Sequence, residues 1–256
     1  TMIAFFAVAY DQGPDTVVLA SATDFAGNQT KMGFHCRIRA KSFRKDVLNI
    51  SEAFISSRMV PLLAAAGQSE TDLTKVFLAV NRDMRQANYD QLTGLAKQTI
   101  PEKLWQGSFL RLPKSANRAQ FADHRVYRYK GEVVDRQVHL GADLASLQQS
   151  PVPAANTGRV VFAEAVGIYG NTVVLDHGFG LFSLYAHLSA IKVQPGDRVD
   201  KGDTLGQTGF TGLAVGDHLH FGMMVHDTFV NPIEWWDDHW INDNILTKLK
   251  LVEPVS

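Results

Sequence analysis

Five residues in the second half of the chain have the types and spacing of a metal-assisted hydrolytic centre: His139, Asp143, His187, His218 and His220. The stretch "HLGAD" sets His139 and Asp143 four apart, which places both on one face of an extended segment or of a helical turn, and Gly141 between them permits a close backbone approach. The stretch "HLH" sets His218 and His220 one residue apart in an apolar, strand-like run, so strand alternation aims both imidazoles one way and Leu219 and Phe221 the other. A third ligand from that pair completes a set of two histidines and one aspartate with a fourth position open, the arrangement of a catalytic zinc rather than a structural one. Calcium and magnesium favour all-oxygen cages and fit this set less well.

Each of these histidines taken singly is more simply a satisfied structural residue. The structural reading must, however, explain His139, Asp143, His187, His218 and His220 together, and jointly it loses. His187, in "YAHLS", sits just before an expected strand end and can reach the same cavity as a general base or an oxyanion donor. His177, next to Gly178 and Phe179, reads instead as the support of a turn. No HExxH helix is present, which excludes a thermolysin-type centre.

Composition narrows the alternatives. With 256 residues, 45% of them hydrophobic, the chain can bury a substantial core as one large domain or two to three small ones. A formal net charge of -1 with interspersed signs gives no broad basic surface, so no nucleic-acid partner is expected. Cys36 is the only cysteine, which rules out an internal disulfide framework and zinc sites built on two or more thiolates. The opening "TMIAFFAVAY" is too short to span a bilayer and reads as a strand; because position 1 is Thr rather than a start methionine, a signal or membrane anchor would have to lie outside these residues.

The elements that must position the site follow from the periodicity. Positions 1–50 contain short β-branched or aromatic runs separated by the turn sequences "DQGPD" and "DFAGNQ", a small β-module whose "ATDFAGNQT" resembles the D-x-x-G-N turn of immunoglobulin-like envelope repeats. In positions 51–104, Leu73, Val76, Phe77, Val80, Met84 and Ala87 follow helical spacing behind the cap candidates Ser69, Thr71 and Asp72. The earlier "SEAFISSRMVPLLAAAG" reads as shorter helices broken near Pro61 and stopped by Gly67. Beyond Pro101 strand patterns return, from "GSFLRLP" to "HLHFGMMV", with glycines at nearly every connection. The expectation is an α+β multidomain chain: a β-module (1–50), a helical subdomain (51–104), and a mostly antiparallel β domain with a C-terminal extension (105–256).

The blocks "HLGAD", "YGNTVVLDHGFGLFSLYAHLS" and "VQPGDRVDKGDTLGQTGFTGLAVGDHLHF" resemble, in order, those of the lysostaphin/LytM-type zinc metalloendopeptidases, over positions 105 to 235. The resemblance implies antiparallel sheets of the duplicated-hybrid-motif type with the site in a groove between loops. It implies zinc (Zn2+) held by His139, Asp143 and His220, with His187 and His218 as the catalytic histidines. It further implies hydrolysis of bacterial peptidoglycan, with stem or cross-link peptides as partners, outside the cytoplasm in the periplasm or cell envelope. Two departures stand out. Gly222 follows "HLHF" where the family commonly has an acidic residue, and Val133 stands six before the first ligand where some members have a tyrosine, leaving Tyr127 or Tyr129 to substitute. Two rival readings remain: a wall-binding regulator that activates another hydrolase, and a zinc peptidase with a non-wall substrate. The N-terminal 100 residues are expected to pack beside the groove and limit or position substrate.

Overall fold

A computed structural model describes residues 5–34, 36 and 38–251. In the first fifty positions, β1 (Val18–Thr23) and β2 (Gln29–Phe34) pair as an antiparallel hairpin. The turn between them follows the sequence chemistry: Asp24 accepts from the backbone N–H groups of Ala26 and Asn28, and Gly27 takes φ +88°. The third strand, β3 (Lys45–Ile50), does not join this hairpin. It pairs in parallel with β5 (His124–Tyr129), which follows β4 (Ala116–Ala119), and β5 forms a hairpin with β6 (Glu132–Val138). A self-contained immunoglobulin-like module over 1–50 is therefore not what the strands form. Phe5–Ala9, read above as part of a strand, has no ladder partner among the described residues, and positions 1–4 lie outside them. This stretch is anchored by side chains instead: the Phe5 ring stacks on Phe179 at 5.9 Å.

Two helical segments occupy 52–65 and 73–97. Ser51 caps the first by accepting from Phe54 N–H, and Asp72 caps the second by accepting from Thr74 and Lys75 N–H. The first does not break at Pro61. The turns Glu52–Phe54, Ile55–Met59 and Val60–Ala65 run on continuously, with a π-helical widening at Ile55–Met59 whose Val60 N–H reaches back to Ile55 O. That widening relieves the clash a proline ring causes in a tight α-helix. Gly67, at φ +74°, ends the helix in a Schellman arrangement: its N–H donates to Ala64 O and Gln68 N–H to Leu63 O.

The rest is built on an eight-stranded antiparallel sheet. After β7 (Ala142–Ala145) and β8 (Pro151–Pro153) come β9 (Gly158–Val166), β10 (Gly170–Asp176), β11 (Leu181–Leu188), β12 (Ala190–Ile191), β13 (Arg198–Val199), β14 (Thr204–Gln207), β15 (Leu219–Val225) and β16 (Thr228–Val230). The large sheet runs β13-β9-β10-β11-β15-β7-β4 with β16 added to β15, and β12-β14-β8 form a smaller sheet. "GSFLRLP" is not a strand; Phe109 and Leu110 make single backbone bonds to Trp235 O and Ala155 O, and Phe109 and Leu112 serve the core.

Alternation splits the core into two layers. Leu219, Phe221, Met223 and Val225 of β15 face a cluster with Trp105, Tyr185 and the C-terminal helical turns carrying Trp235, Ile241 and Ile245. Met224, with Leu184 and Ala186 of β11, faces the helical segments through Ile55, Val76, Phe77 and Val80. Phe77 is fully buried, and truncating it to Ala would cost about 3–5 kcal/mol. The helical side of the sheet is also the side to which His218 and His220 point.

Candidate metal centre

His220 lies in the middle of the large sheet, directly between Ala186 of β11 and Asp143 of β7. The register brings the third block of sequence against the first. His139 enters from the end of β6, where its N–H donates to Asp123 O and its C=O accepts from Ala122 N–H. Asp123 is itself buried, taking Gln120 N–H and Arg44 Nη2 on Oδ2. The Nδ1 of His139 then meets the Gln120 carbonyl at 2.9 Å.

Three atoms converge. His139 Nε2 is 3.0 Å from Asp143 Oδ1 and 3.0 Å from His220 Nδ1, and His220 Nδ1 is 2.9 Å from Asp143 Oδ1. Because the His139 Nδ1–H is committed to a carbonyl, the neutral ring turns a lone pair on Nε2 toward the other two atoms. A proton on His220 Nδ1 can serve two sides of this triangle, but the His139–Asp143 side remains lone pair against lone pair. A cation satisfies all three at once, and the donor set of two imidazole nitrogens and one carboxylate oxygen suits zinc. Gly141 is required by the packing: a Cβ there would lie 2.6 Å from Cε1 and Nε2 of His220. His220 Nε2 is buried without a partner among the described residues, so Nδ1 is the nitrogen this ring presents to the others.

His187 owes its place to an irregularity in β11. Leu188 pairs with Asn171 and Tyr185 with Val173, so Ala186 and His187 stand opposite Thr172 alone. This bulge, with His187 at φ +63°, exchanges the faces of the strand end: Leu188 joins the Tyr185 layer, and His187 turns toward the site, its ring 4.9 Å from His218 and 5.9 Å from His220. Its Nδ1 contacts the Thr211 carbonyl at 2.9 Å, leaving Nε2 free. His218 is arranged alike, Nδ1 to Gly216 O at 2.7 Å and Nε2 toward Asp143 Oδ1 at 3.6 Å.

Electrostatics follow from this enclosure. Burial, helped by repulsion from His218 and His220, lowers the His187 pKa to about 3, and burial lowers that of His220 to about 4. Burial raises the Asp143 carboxyl, but attraction and hydrogen bonds from His139 and His220 outweigh it and hold the acid well below the ordinary carboxylate range. The centre opens into a cleft of about 1580 Å³ whose walls include Asn81, Arg85 and Tyr89 from the helical segments and Tyr10 from the N-terminal stretch.

All five sequence candidates thus meet in one place, and His177 does not join them. It is buried below the sheet, its ring bonded to Thr157 O and Ser183 Oγ, as its turn-supporting reading expects. The tyrosine expectation needs correction. Tyr129 donates to Glu52 and Tyr127 packs on Phe77, whereas the ring set against the site is Tyr169, 5.6 Å from His220. Arg125 was also missed; its Nη2 lies 3.4 Å from Asp143 Oδ2. Tyr169 heads the quoted "YGN" block, but Arg125 and the Thr211 carbonyl carry no signal in sequence.

Comparisons with known proteins agree with this geometry. Residues 137–232 match the profile of peptidase family M23. The chain is similar to the DD-carboxypeptidase/endopeptidase Mpg of Neisseria meningitidis serogroup B, 39% identical over 97 residues, covering 38% of this chain and 22% of that protein. It is similar also to the peptidoglycan DD-endopeptidase ShyA of Vibrio cholerae, 36% identical over 96 residues with the same coverages. The chain therefore spans about a fifth of the length of these relatives. A crystal structure assigned to peptidase M23 from Pseudomonas aeruginosa shares the fold, with a TM-score of 0.52 at 20% identity over 85% of this chain and 72% of that one. Residues 137–232 are thus similar to peptidase family M23, the stretch that holds His139, Asp143, His187, His218 and His220.

Proposed function

We propose that the chain is a zinc metalloendopeptidase that hydrolyses peptide cross-links of bacterial peptidoglycan, acting outside the cytoplasm in the periplasm or cell envelope. The observation that carries this reading is the triangle of His139 Nε2, Asp143 Oδ1 and His220 Nδ1, with two further imidazoles facing it. The similarity to a relative named as a peptidoglycan DD-endopeptidase supports the choice of substrate. No helix among the described residues is long and apolar enough to cross a membrane.

In this reading His139, Asp143 and His220 hold the metal. Zinc in that position supplies a Lewis acid for the scissile carbonyl and makes water a stronger acid at neutral pH. His187 and His218 then divide two tasks, accepting the proton of the attacking water and donating to the developing oxyanion. Each has Nδ1 fixed by a backbone carbonyl, so each presents Nε2 to the reacting atoms. Burial keeps His187 neutral, so its Nε2 carries a lone pair toward the site. Arg125 holds the outer oxygen of Asp143 and leaves Oδ1 for the metal. Positions 105–256 form the catalytic unit in this scheme, and the helical segments of 51–104 form one wall of the substrate cleft.

Digestion of purified sacculi and of casein in parallel tests the substrate class. Release of un-cross-linked muropeptides, identified by mass, with casein left intact is the expected outcome. Casein cleavage with intact sacculi would assign the site to a non-wall substrate.

A further inference from the structure

The loop between Gly209 and His218 serves both catalytic histidines. Its ends are pinned together, His218 N–H donating to Gly209 O, and its Thr211 carbonyl accepts from His187 Nδ1. Between these points it has no strand partner among the described residues. Three of its carbonyls, those of Phe210, Gly212 and Ala214, turn inward toward one group that belongs to neither the sheet nor the loop. That group is Arg58 of the first helical segment, whose Nη2 lies 2.6, 3.2 and 2.7 Å from them. The guanidinium also covers the Phe210 ring, with Cζ 5.6 Å from its centroid.

We propose that Arg58 is a positioning residue for catalysis: by gathering the carbonyls of residues 210, 212 and 214 it fixes the loop whose Thr211 carbonyl orients His187. The proposal rests on the reading of His187 as a catalytic group. A guanidinium suits the task because its charge strengthens bonds to several neutral acceptors at once, and three carbonyls curled toward one point repel one another without it. The contact is also costly in a way that an ordinary packing residue avoids, since Arg58 Nε is buried with no partner among the described residues. A second route links the same helical unit to the same loop. Asn88 Oδ1 accepts from Ile168 N–H, and Ile168 O accepts from Leu213 N–H. Glycines make the approach tight: a Cβ on Gly212 would meet Gly170 N and Ile168 O at 2.4 Å. The helical segments are thus part of the catalytic apparatus and not only a wall beside it.

The test compares Arg58→Ala and Arg58→Lys with His187→Ala and the parent, all as the full zinc-loaded chain. In the parent, nitrogen-15 histidine spectra are expected to show a hydrogen-bonded Nδ1–H for His187, assigned by its loss in His187→Ala. In Arg58→Ala this signal broadens or shifts, zinc stays at one per chain, and kcat on a cross-linked muropeptide falls about tenfold to a hundredfold with KM within about twofold. Arg58→Lys, which keeps the charge, recovers part of kcat and of the signal; should Arg58→Ala fail to fold, this variant carries the comparison through an intermediate loss. An unmoved His187 signal and parental kcat in Arg58→Ala, alongside an inactive His187→Ala, would overturn the positioning role. Parental turnover in His187→Ala would instead defeat the assignment of His187, and the spectra would still report whether Arg58 orients it.

Discussion

His220 passes so close beneath Gly141 that a methyl group there would lie 2.6 Å from its Cε1 and Nε2. The glycine between the first two candidate ligands thus makes room for the third. Gly141→Ala is expected to push the His220 ring off the triangle while leaving all three ligands in the chain. Loss of one well-placed ligand direction should weaken zinc binding by about tenfold to a hundredfold, the range seen when groups that orient ligands are altered. Competition with a chelator of known affinity, beside circular dichroism to verify the fold, measures it; parental affinity would mean that His220 is not a ligand.

Asp143 is the only carboxylate in the triangle, and it touches both ring nitrogens. Asp143→Ala should purify largely free of zinc, whereas His187→Ala and His218→Ala should keep one zinc per chain, since three ligands remain. Elemental analysis by mass spectrometry separates these outcomes. Loss of zinc from His218→Ala would reassign the ligand role within the "HLH" pair.

Much of this centre was legible in sequence because it depends on local spacing. Strand alternation alone puts His218 and His220 on one face, and four-residue spacing with an intervening glycine pairs His139 with Asp143. What was hidden depends on contacts distant in the chain or on departures from alternation. Nothing in "YAHLS" announces that Ala186 and His187 bulge against Thr172, although that bulge turns His187 to the site. Arg58 meets its acceptors more than 150 positions away, through backbone atoms that every residue type possesses. Apolar runs such as Phe5–Ala9 and "GSFLRLP" mimic strands but find no ladder among the described residues, and β3 leaves its neighbours to pair in parallel with β5. Pro61 read as a helix break, yet a widened turn absorbed it.

His177 makes a separate, testable contribution to stability against acid. Burial depresses its pKa to about 4 from an ordinary value of 6.5. The unfolded chain therefore takes up this proton first as the pH falls. The associated stability is complete above pH 6.5, declines between 6.5 and about 4, and is fully lost below that. The total is on the order of 3 kcal/mol for one such group. Urea unfolding of His177→Gln and the parent at pH 7 and pH 5 is expected to show a shallower decline in the variant. Equal declines would indicate that the ring is not held neutral in the folded state.

His187 and His218 should each be needed for turnover without being needed for zinc. Replacing either with Ala is expected to lower kcat about a hundredfold or more, the contribution typical of proton-transfer and oxyanion-stabilising groups. Cleavage rates on a purified cross-linked muropeptide measure this directly. Near-parental turnover in either variant would remove that histidine from the chemistry.

The most direct test of the whole account is cleavage of purified sacculi by the full chain before and after treatment with a chelator, with the products weighed by mass spectrometry and zinc added back. Cross-link peptides are expected to be released, the release to stop on chelation, and one equivalent of zinc to restore it in the parent but not in Asp143→Ala. Cleavage that persists in the chelated protein, or a zinc-loaded parent that binds sacculi and releases no peptide, would contradict it.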